Sequence, residues 1–382
     1  MDFSLTEEQA LIRDTVRDFV ASEILPAAGE MDRESRFPSE AIQRMSELGL
    51  LGMAIPEAYG GSGLNSLSMA MAVEELARGS ASLAVTVSVS NSVCAGPIAR
   101  YGNEAQRRLY LPRLASGEIL GGFSLTEPDS GSDAAHLRTR AVRDGDFYLL
   151  TGDKAWVTNV QVGRLFVVLA ATDPALASRG ITAFLVERDF PGFSFGKVED
   201  KMGLRSSLTG GIELQECRVP VSNRLGEEGQ GFKIAMTTLD GARIGIGAQA
   251  VGIARGCLEE SIAFARQRQA FGKSIAEFQA IQFMLADMRT AIDSARLLVH
   301  RAAWLKDHQR EPYSREASMA KLFATEMVNR VAYDAVQIHG AYGYSREYPV
   351  ERYFRDARVT TIYEGTSEIQ RLVIARKLLE AV

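Results

Sequence analysis

The first part of the chain carries apolar residues at helical spacing. Thr6 can cap a helix, and Gln9 stands three residues later as in a capping box. The apolar positions that follow, and the proline expected to end this helix, are Leu11, Val16, Phe19, Val20, Ile24 and Pro26. Leu67–Ala77 and Glu104–Leu114 show the same period. The pattern predicts a mainly helical region up to about residue 118.

After residue 118 the pattern changes to short apolar runs separated by turn residues. The runs are Phe147–Thr151, Lys154–Thr158, Leu165–Ala171, Ile181–Val186, Phe193–Lys197 and Gly211–Leu214. Gly152 and Asp153 separate the first two runs, which is typical of a hairpin turn. Because strands recur without helices between them, we predict a small antiparallel barrel or sandwich.

Helical spacing returns after Gly231 and continues to the end of the chain. The predicted members of a bundle are Phe232–Ala270, Phe278–Lys306, Ser314–Gly340 and Thr366–Leu379. The first contains Gly241, Gly245, Gly247, Gly252 and Gly256. Since each interior glycine costs a helix about 1 kcal/mol, so many indicate close approach of another helix or a ligand. The predicted fold is α+β, with a helical domain over 1–118, a central β domain over 119–228 and a helical bundle over 229–382.

Composition refines this picture by exclusion. The 43 basic and 48 acidic residues leave a net charge of −5, which gives no global footprint for nucleic acid or an anionic membrane surface. No run of about 18 uncharged apolar residues exists, so we expect no membrane span. The three dispersed cysteines favour a reducing compartment, and the N-terminus shows no targeting pattern. We therefore expect a cytoplasmic protein.

Several common sites are disfavoured by their missing motifs. Gly245, Gly247 and Gly252 depart from the dinucleotide-binding spacing, and no strand precedes them. The chain has neither a P-loop nor a nucleophile elbow. Its four histidines stand in no metal-ligand spacing, so we expect no metal.

Three segments combine residues suited to binding. Phe123–Asp133 brings hydroxyls and turn amides to the point where helices give way to strands, although it also fits an ordinary connector. In Lys154–Asn159, alternation places Trp156 and Thr158 on one side of a strand, although a core tryptophan fits equally. Arg266–Lys273 is by itself a basic helix end with a glycine stop.

A fourth segment, Arg358–Arg371, places an acid at the mouth of a helix. Thr366 can cap the helix that follows, and Glu364 lies just outside that cap. Gly365 permits close backbone approach to a ligand. Taken alone, Glu364 also fits a surface acid favoured by the helix dipole.

Together, in order and over essentially the whole chain, these segments resemble the acyl-CoA dehydrogenases. The resemblance is greatest to the short-chain (butyryl-CoA) members and also rests on Ser88–Ser92, Asp200–Gly203 and the YEGTSEIQR stretch. It implies a helical domain, a β domain and a four-helix bundle. It also implies FAD, an acyl-CoA substrate and dehydrogenation to the trans-2-enoyl-CoA, a step of fatty acid β-oxidation.

The resemblance also implies roles for individual residues. Those expected to line the flavin end of FAD are Phe123, Leu125, Thr126, Gly131, Ser132, Trp156, Val157 and Thr158. Those expected at its pyrophosphate and adenosine, partly across a subunit boundary, are Arg268, Phe271, Gln279, Gln337, Ile338, Gly340 and Ala341. The cofactor site is closed by Thr366, Ser367 and Glu368. Substrate contacts are expected from Ser132, Asp240, Arg243, Tyr363 and Gly365.

Glu364 matches the catalytic base of the family. Some members carry this carboxylate two residues after the position of Asp240, where this chain has Ala242. The resemblance therefore assigns removal of the α-proton to Glu364 and acceptance of the β-hydride to flavin N5. Its backbone N–H and a ribityl hydroxyl of FAD are expected at the thioester oxygen, where one donor is typically worth about 3–4 kcal/mol.

Substrate range and alternatives stay open at the level of sequence. Ala84 stands where glutaryl-specific relatives carry an arginine, which disfavours a dicarboxylyl substrate. A short straight-chain acyl-CoA is our first choice, and a branched or ring-bearing one is the second. A flavin oxidase or monooxygenase on this scaffold, or a flavin-free binding module, are the alternatives. The resemblance further implies a homotetramer that passes electrons to electron-transfer flavoprotein.

Overall fold

The computed structural model describes residues 4–308 and 313–380 of the protein. The first region contains helices α1 Glu7–Phe19, α2 Leu25–Glu34, α3 Ser39–Glu47, α4 Ser66–Gly79, α5 Ala81–Val89, α6 Gly96–Tyr101 and α7 Glu104–Ala115. The predicted cap is confirmed, because the Gln9 N–H donates to Thr6 Oγ1 (3.2 Å) and the Thr6 N–H donates to Gln9 Oε1 (3.1 Å). The helical stretches predicted around residues 67–77 and 104–114 correspond to α4 and α7.

The predicted helix end at Pro26 is wrong. A π-helical turn, Val20–Ile24, joins α1 to α2, and Pro26 lies in the first turn of α2. A proline is tolerated there because the first amides of a helix need no carbonyl partner within it. The helical path therefore continues to Glu34, where Ser35 turns into the left-handed region at φ 52°.

A second π-helical turn, Ser90–Ala95, joins α5 to α6. By length and composition the stretch Ala81–Tyr101 could cross a membrane, yet most of its apolar window is buried inside the protein. Within it, the buried Asn91 donates to the Leu50 and Val87 carbonyls and accepts from the Ala54 N–H. These bonds satisfy a polar side chain in the core and fix the π-helical turn against residues 50–54.

Eight strands form one sheet between the helical regions. They are β1 Leu120–Ser124, β2 Arg140–Asp144, β3 Phe147–Thr158, β4 Gly163–Ala171, β5 Ile181–Glu187, β6 Phe193–Val198, β7 Thr209–Pro220 and β8 Arg224–Leu225. The order is β6-β7-β3-β2-β4-β5-β8, and β1 pairs with β4. Most neighbours are antiparallel, as predicted, and β1 and β2 additionally pair with β4 in parallel.

The predicted hairpin at Gly152-Asp153 is wrong, because β3 runs through both residues without a turn. Gly152 has φ 147°, and the register with β7 shifts beside it. A Cβ at this position would lie 2.6 Å from Thr139 Oγ1. The glycine therefore serves a bulge and a close contact within a long strand.

In the part of the chain that the structure describes, five helices and a small hairpin follow the sheet. The helices are α8 Gly231–Gln267, α9 Gln279–Asp307, α10 Ser314–His339, α11 Val350–Arg358 and α12 Ser367–Leu379, with strands β9 Gln269–Ala270 and β10 Lys273–Ser274 between α8 and α9. Helix α10 packs against α8, α9 and α12, so these four form the predicted bundle. A Cβ at Gly252 of α8 would lie 2.2 Å from the Glu74 carbonyl oxygen of α4, which confirms the predicted close approach.

Strand β4 is buried on both faces and so connects two cores. One face packs on the helices through a cluster that includes Leu165, Val167, Leu169, Leu114 and Ile234. The other face is enclosed by the curled sheet itself, in a cluster that includes Phe166, Val168, Leu150 and Ile212. The helical regions and the sheet are thereby held together, with the residues of interest near their junction.

Candidate active site

Glu364 lies in a strained turn immediately before α12. Glu364 has φ 50° and Gly365 has φ 94°, and Thr366 caps the helix by accepting from the Ile369 N–H. The Gly365 carbonyl accepts hydrogen bonds from Lys321 Nζ (2.7 Å) and Gln370 Nε2 (2.9 Å). A non-glycine residue persists in the left-handed region only where its surroundings hold it there. Two buried side chains do so here.

The Glu364 side chain is half-buried and forms no salt bridge with any of the described residues. Its Oε2 atom is buried and has no hydrogen-bond partner in the described chain. Burial raises the pKa of Glu364 to about 7, while the charges of Lys321 and Arg243 act in the opposite direction. A carboxylate with this pKa can take and release a proton near neutrality.

Arg243, which is buried, forms an ion pair on α8 with the partly exposed Asp240. Arg243 Nη1 lies 2.5 Å from Asp240 Oδ1 and 3.3 Å from Ser318 Oγ, and Ser314 Oγ donates to the same carboxylate oxygen. Burial lowers the pKa of Arg243, against the effect of Asp240. The structure therefore places both residues predicted for substrate contact between α8 and the start of α10.

Tyr363, beside the candidate base, is anchored to the bundle. Its hydroxyl donates to Gln249 Oε1 (2.5 Å), and Gln249 Nε2 donates to the Ala81 carbonyl (3.0 Å). Burial raises the pKa of Tyr363, so its hydroxyl stays protonated. The chain of bonds connects the Glu364 turn through α8 to the start of α5.

The loop after β1 is organised by a buried ion pair. Lys154 Nζ donates to Glu127 Oε1 (2.8 Å) and to the Leu125 carbonyl (3.2 Å), and Glu127 also accepts the N–H groups of Arg138 and Thr139. Burial lowers the pKa of Lys154 to about 8, against the effect of Glu127. The pair fixes both ends of the connection between β1 and β2, from Leu125 to Thr139, and this connection contains most of the predicted flavin segment.

The residues predicted beside the flavin ring lie along this loop and β3. The Ala155 N–H donates to the Thr126 carbonyl (3.0 Å), which joins the loop to the strand. Val157 is buried, whereas Trp156 is 61% exposed and Thr158 is partly exposed. Trp156 has φ 58°, so its open indole is presented from a distorted part of β3.

The other predicted loop residues divide into core and surface. The Leu125 side chain is buried and Phe123 is packed against the core, so these residues offer mainly backbone groups. Gly131 and Ser132 are exposed. A Cβ at Gly131 would meet nothing within 4 Å, so the backbone there is open to a ligand.

Helix α5 links the loop to the Glu364 turn. Asn159, at the end of β3, donates to the Thr86 carbonyl (3.3 Å) and the Gly121 carbonyl (2.8 Å). Tyr363 reaches the Ala81 carbonyl of the same helix through one glutamine side chain. Five residues of helix span roughly 7–8 Å. The structure thus brings two separate sequence segments to one short helix.

A further set of predicted cofactor residues lies elsewhere. Phe271 is 96% exposed at φ 50°, Gln279 is exposed, and the Arg268 guanidinium lies over the Tyr342 ring at 5.5 Å. Nearby are Gln337, Gly340 and Ala341, which are exposed, and Ile338, which is buried. Within residues 4–308 and 313–380, no hydrogen bond or ion pair joins Arg268 to the Glu364 turn.

The start of α12 contributes a third group. Thr366 is the N-cap, Glu368 is exposed in the first turn, and Ser367 is buried. Ser367 Oγ has no hydrogen-bond partner among the described residues. A buried hydroxyl in this position is available to a bound group.

Two further observations concern a cavity beside α8 and the capacity for metal binding. A cavity of about 140 Å³ borders α8, with lining residues that include Ser88, Ser92, Thr238, Gly241 and Gly245, but not Glu364. In the described ranges, 4–308 and 313–380, no group of three His, Cys, Asp or Glu side chains could hold a metal ion.

Sequence reasoning missed Lys321, Gln370 and the Lys154–Glu127 pair. The positions of the two lysines in the sequence pattern could have identified them. Lys321 falls on the apolar stripe of its helix, and Lys154 continues the buried positions of β3 after Tyr148 and Leu150. A lysine at an apolar position is uncommon unless the amine has a partner.

Comparison with known proteins decides the family. Sequence models of the acyl-CoA dehydrogenase N-terminal, middle and C-terminal domains match residues 6–118, 122–217 and 229–379. The chain belongs to the acyl-CoA dehydrogenase family. The short-chain specific acyl-CoA dehydrogenase of Bos taurus mitochondria is 48% identical over 99% of this chain and 91% of that protein.

Two solved structures of the family are also similar. Butyryl-CoA dehydrogenase from Megasphaera elsdenii has a TM-score of 0.97 and 45% identity, over 99% of this chain and 100% of that chain. A structure described under the electron transferring flavoprotein of Acidaminococcus fermentans has a TM-score of 0.98 and 47% identity, over 99% and 100%. FAD-dependent dehydrogenation of acyl-CoA is the reaction class of this family and of this chain.

The described residues fit FAD. Ser124 Oγ on β1 and Ser367 Oγ on α12 are buried atoms without a partner in the described chain, as expected of sites that a bound group completes. The exposed indole of Trp156 offers a plane for a flavin ring. These features are compatible with a bound FAD.

Proposed function

We propose that this chain oxidises short-chain acyl-CoA to the trans-2-enoyl-CoA, with Glu364 as the base. The observation that carries the proposal is the buried, unpaired carboxylate oxygen of Glu364, together with a pKa raised to about 7 by burial. Such a base is partly ionised at neutral pH and accepts a proton more strongly than an ordinary carboxylate. Similarity to short-chain specific and butyryl-CoA enzymes supports the acyl length.

The residues of the turn have distinct roles in this proposal. Glu364 removes the α-proton, and its backbone N–H donates to the thioester oxygen as negative charge develops there. A Cβ at Gly365 would lie 2.6 Å from Gln370 Nε2, so the glycine lets the Gln370 side chain pack directly against the turn. When bound, FAD supplies the redox step by accepting the β-hydrogen as hydride. Tyr363 donates a hydrogen bond to Gln249 of α8 and thereby holds the turn in a fixed position relative to this helix.

Substrate contacts are proposed at Ser132, Asp240, Arg243, Tyr363 and Gly365. Asp240 and Arg243 are already paired to each other, so they present a neutral, ordered surface to a bound thioester. Ala84 lies fully buried on α5, and no cation stands at that position for a distal carboxylate. This supports a straight-chain monocarboxylyl substrate over a dicarboxylyl one.

FAD contacts are proposed at the predicted residues around β1, β3 and α12. For the outer set, Arg268, Phe271 and Gln279, we propose contact with the FAD of a neighbouring subunit in a homotetramer. The exposure of Phe271, an aromatic side chain 96% open to solvent in one protomer, supports a role across an interface. Gln337, Ile338, Gly340 and Ala341 are proposed to act with them.

We propose electron-transfer flavoprotein as the electron acceptor and the cytoplasm as the location. Similarity to the structure described under the electron transferring flavoprotein of Acidaminococcus fermentans supports the acceptor. The three cysteines, all buried and free, support a reducing compartment.

The test is anaerobic reduction of the bound flavin. Saturated acyl-CoAs of increasing length, with isovaleryl-CoA and glutaryl-CoA, are added to wild type and to Glu364→Gln. We expect bleaching of the flavin absorbance by butyryl-CoA in wild type and a loss of about 10²–10⁴-fold in rate in the variant. Preference for glutaryl-CoA would overturn the substrate, and unchanged reduction of Glu364→Gln would overturn the base. Reoxidation by electron-transfer flavoprotein, against oxygen as the alternative, tests the acceptor.

A further inference from the structure

Lys321 is a fully buried lysine on the core face of α10. Its side chain is excluded from solvent, and its helix neighbours Ala317, Ala320 and Ala324 are buried as well. An ammonium group among alanines is unfavourable unless specific partners hold it. The position therefore needs an explanation beyond packing.

The partner of Lys321 is the turn that carries the base. Lys321 Nζ donates to the Gly365 carbonyl at 2.7 Å, and Gln370 donates to the same oxygen at 2.9 Å. Gly365 directly follows Glu364, and both residues have left-handed backbone angles. The amine consequently holds the backbone one residue after the carboxylate.

The charges around Lys321 are arranged to act on Glu364. The groups that face Lys321 are Glu364, Glu326 and Glu368, which favour its charged form, and Arg243, which disfavours it. Those that face Glu364 are Lys321 and Arg243. Arg243 is paired with Asp240, whereas Lys321 forms no salt bridge within the described residues. Of the two cations, Lys321 is the one whose charge no adjacent carboxylate neutralises.

We propose that Lys321 is a positioning residue for the base, which fixes the Glu364–Gly365 turn through the Gly365 carbonyl and favours the ionised form of Glu364. The proposal rests on the proposed function, in which Glu364 removes the α-proton. It assigns two separable roles to one side chain, a hydrogen bond and a charge.

Three substitutions separate these roles. Lys321→Gln can retain a donor to Gly365 but loses the charge, Lys321→Met loses both, and Lys321→Arg retains the charge. Loss of a nearby cation raises a carboxyl pKa, typically by about 1–3 units. For Lys321→Gln we therefore expect the acidic limb of the kcat–pH profile to move upward by about one pH unit or more, with kcat largely restored at high pH and KM little changed. For Lys321→Met we expect a kcat below wild type at every pH.

A second measurement, independent of turnover, reports the protonation of the Glu364 carboxyl group directly. The infrared carboxyl band of Glu364 is assigned from the difference spectrum of wild type minus Glu364→Gln. The intensity of this band is then followed against pH in the resting holoenzyme. We expect its midpoint to rise in Lys321→Gln and to stay close to wild type in Lys321→Arg. The matched control is Lys201→Met, which removes a partly buried lysine that donates to the Ser207 carbonyl but does not face Glu364. The control should leave the midpoint in place.

The outcomes separate this inference from the proposed function. An unchanged infrared midpoint and kcat–pH profile in Lys321→Gln would overturn the role of Lys321, even if Glu364→Gln is inactive. Normal turnover in Glu364→Gln would overturn the base itself. If Lys321→Met does not fold, the comparison of Lys321→Gln with Lys321→Arg still decides the matter, because a purely structural lysine would show no shift of the midpoint in either.

Discussion

Lys154 and Glu127 form an ion pair that is almost completely excluded from solvent, with Nζ 2.8 Å from Oε1. The pair joins strand β3 to the loop that carries Thr126, and so fixes one wall of the proposed flavin site. Burial alone favours the neutral form of Glu127, but Lys154 and the loop amides hold its pKa below the ordinary value. The ion pair is therefore the element that orders the loop.

Lys154→Met should destabilise the protein and release FAD. The substitution leaves Glu127 as a buried charge without its partner, which typically costs about 3–5 kcal/mol. The double variant with Glu127→Gln should recover part of this loss. Urea unfolding and the FAD-to-protein ratio after purification measure both effects. Full FAD content and wild-type stability in Lys154→Met would contradict the role of the pair.

Glu364→Gln should be more stable than wild type at alkaline pH. The folded-state pKa of Glu364 is about 7 against an ordinary value of 4.5, so the stability contributed by the protonated group is complete below 4.5 and is lost as pH rises through 7. We expect equal melting temperatures near pH 4.5 and a higher one for the variant near pH 8. Glu104 is a control of opposite sign, because a hydrogen bond from Tyr59 lowers its pKa. Glu104→Gln should gain no stability as pH rises.

Tyr363→Phe should weaken the connection of the turn to α8. The substitution leaves Gln249 Oε1 without the hydroxyl donor, and an unsatisfied buried acceptor costs about 1–3 kcal/mol. Tyr363→Phe together with Gln249→Leu should cost less than the two single changes added. Urea unfolding of the four proteins measures this coupling, and strict additivity would show that the bond carries no energy of its own.

The spacing of apolar residues predicts the long helices correctly, because their buried positions recur regularly. The prediction fails at positions where a single residue changes the backbone geometry. Pro26 was interpreted as a helix end, but the preceding π-helical turn brings it into the first turn of α2. The pattern predicts a turn at Gly152. In the structure Gly152 instead contacts Thr139, which lies well before it in sequence, and forms a bulge in β3. The first depends on a π-helical turn that periodicity does not reveal, and the second on a contact with a residue 13 positions earlier in the chain.

The site was predictable to the extent that its residues stand in recognisable segments. Glu364 could be singled out by its neighbours in sequence. Lys321 lies 43 positions earlier on another helix, and only the fold brings its amine to the Gly365 carbonyl. The residues that support the proposed base therefore follow from structure, while the proposal of Glu364 as the base follows from sequence.

Gly252→Ala should be strongly destabilising, whereas Gly29→Ala should not. At Gly252 the added Cβ would lie 2.2 Å from the Glu74 carbonyl, so α8 and α4 must move apart. At Gly29 on α2 the nearest atom lies at an ordinary 3.5 Å, and alanine favours a helix by up to about 1 kcal/mol. Thermal unfolding of the pair distinguishes close packing from helix propensity. Equal effects would mean that α8 and α4 are not in close contact.

Inactive variants at Arg268 and Glu364 should restore activity when they are combined as neighbouring subunits. If Arg268 contacts the FAD of a neighbour, Arg268→Ala loses activity through loss of FAD, and Glu364→Gln loses it through loss of the base. A subunit with Arg268→Ala keeps an intact Glu364 and can borrow Arg268 from a Glu364→Gln neighbour. Random pairing of the two variants makes half of the pairs mixed, each with one intact site, so mixing should restore roughly a quarter of wild-type activity.

The measurement is butyryl-CoA turnover after the two inactive variants are dissociated, mixed and reassembled with added FAD. Each variant is reassembled alone as the control, together with a mixture of wild type and Glu364→Gln to correct for assembly losses. Activity no greater than the sum of the separate variants would place Arg268 in its own subunit's site. Because Arg268 shares no hydrogen bond or ion pair with the Glu364 turn in the described parts of one protomer, we expect restoration.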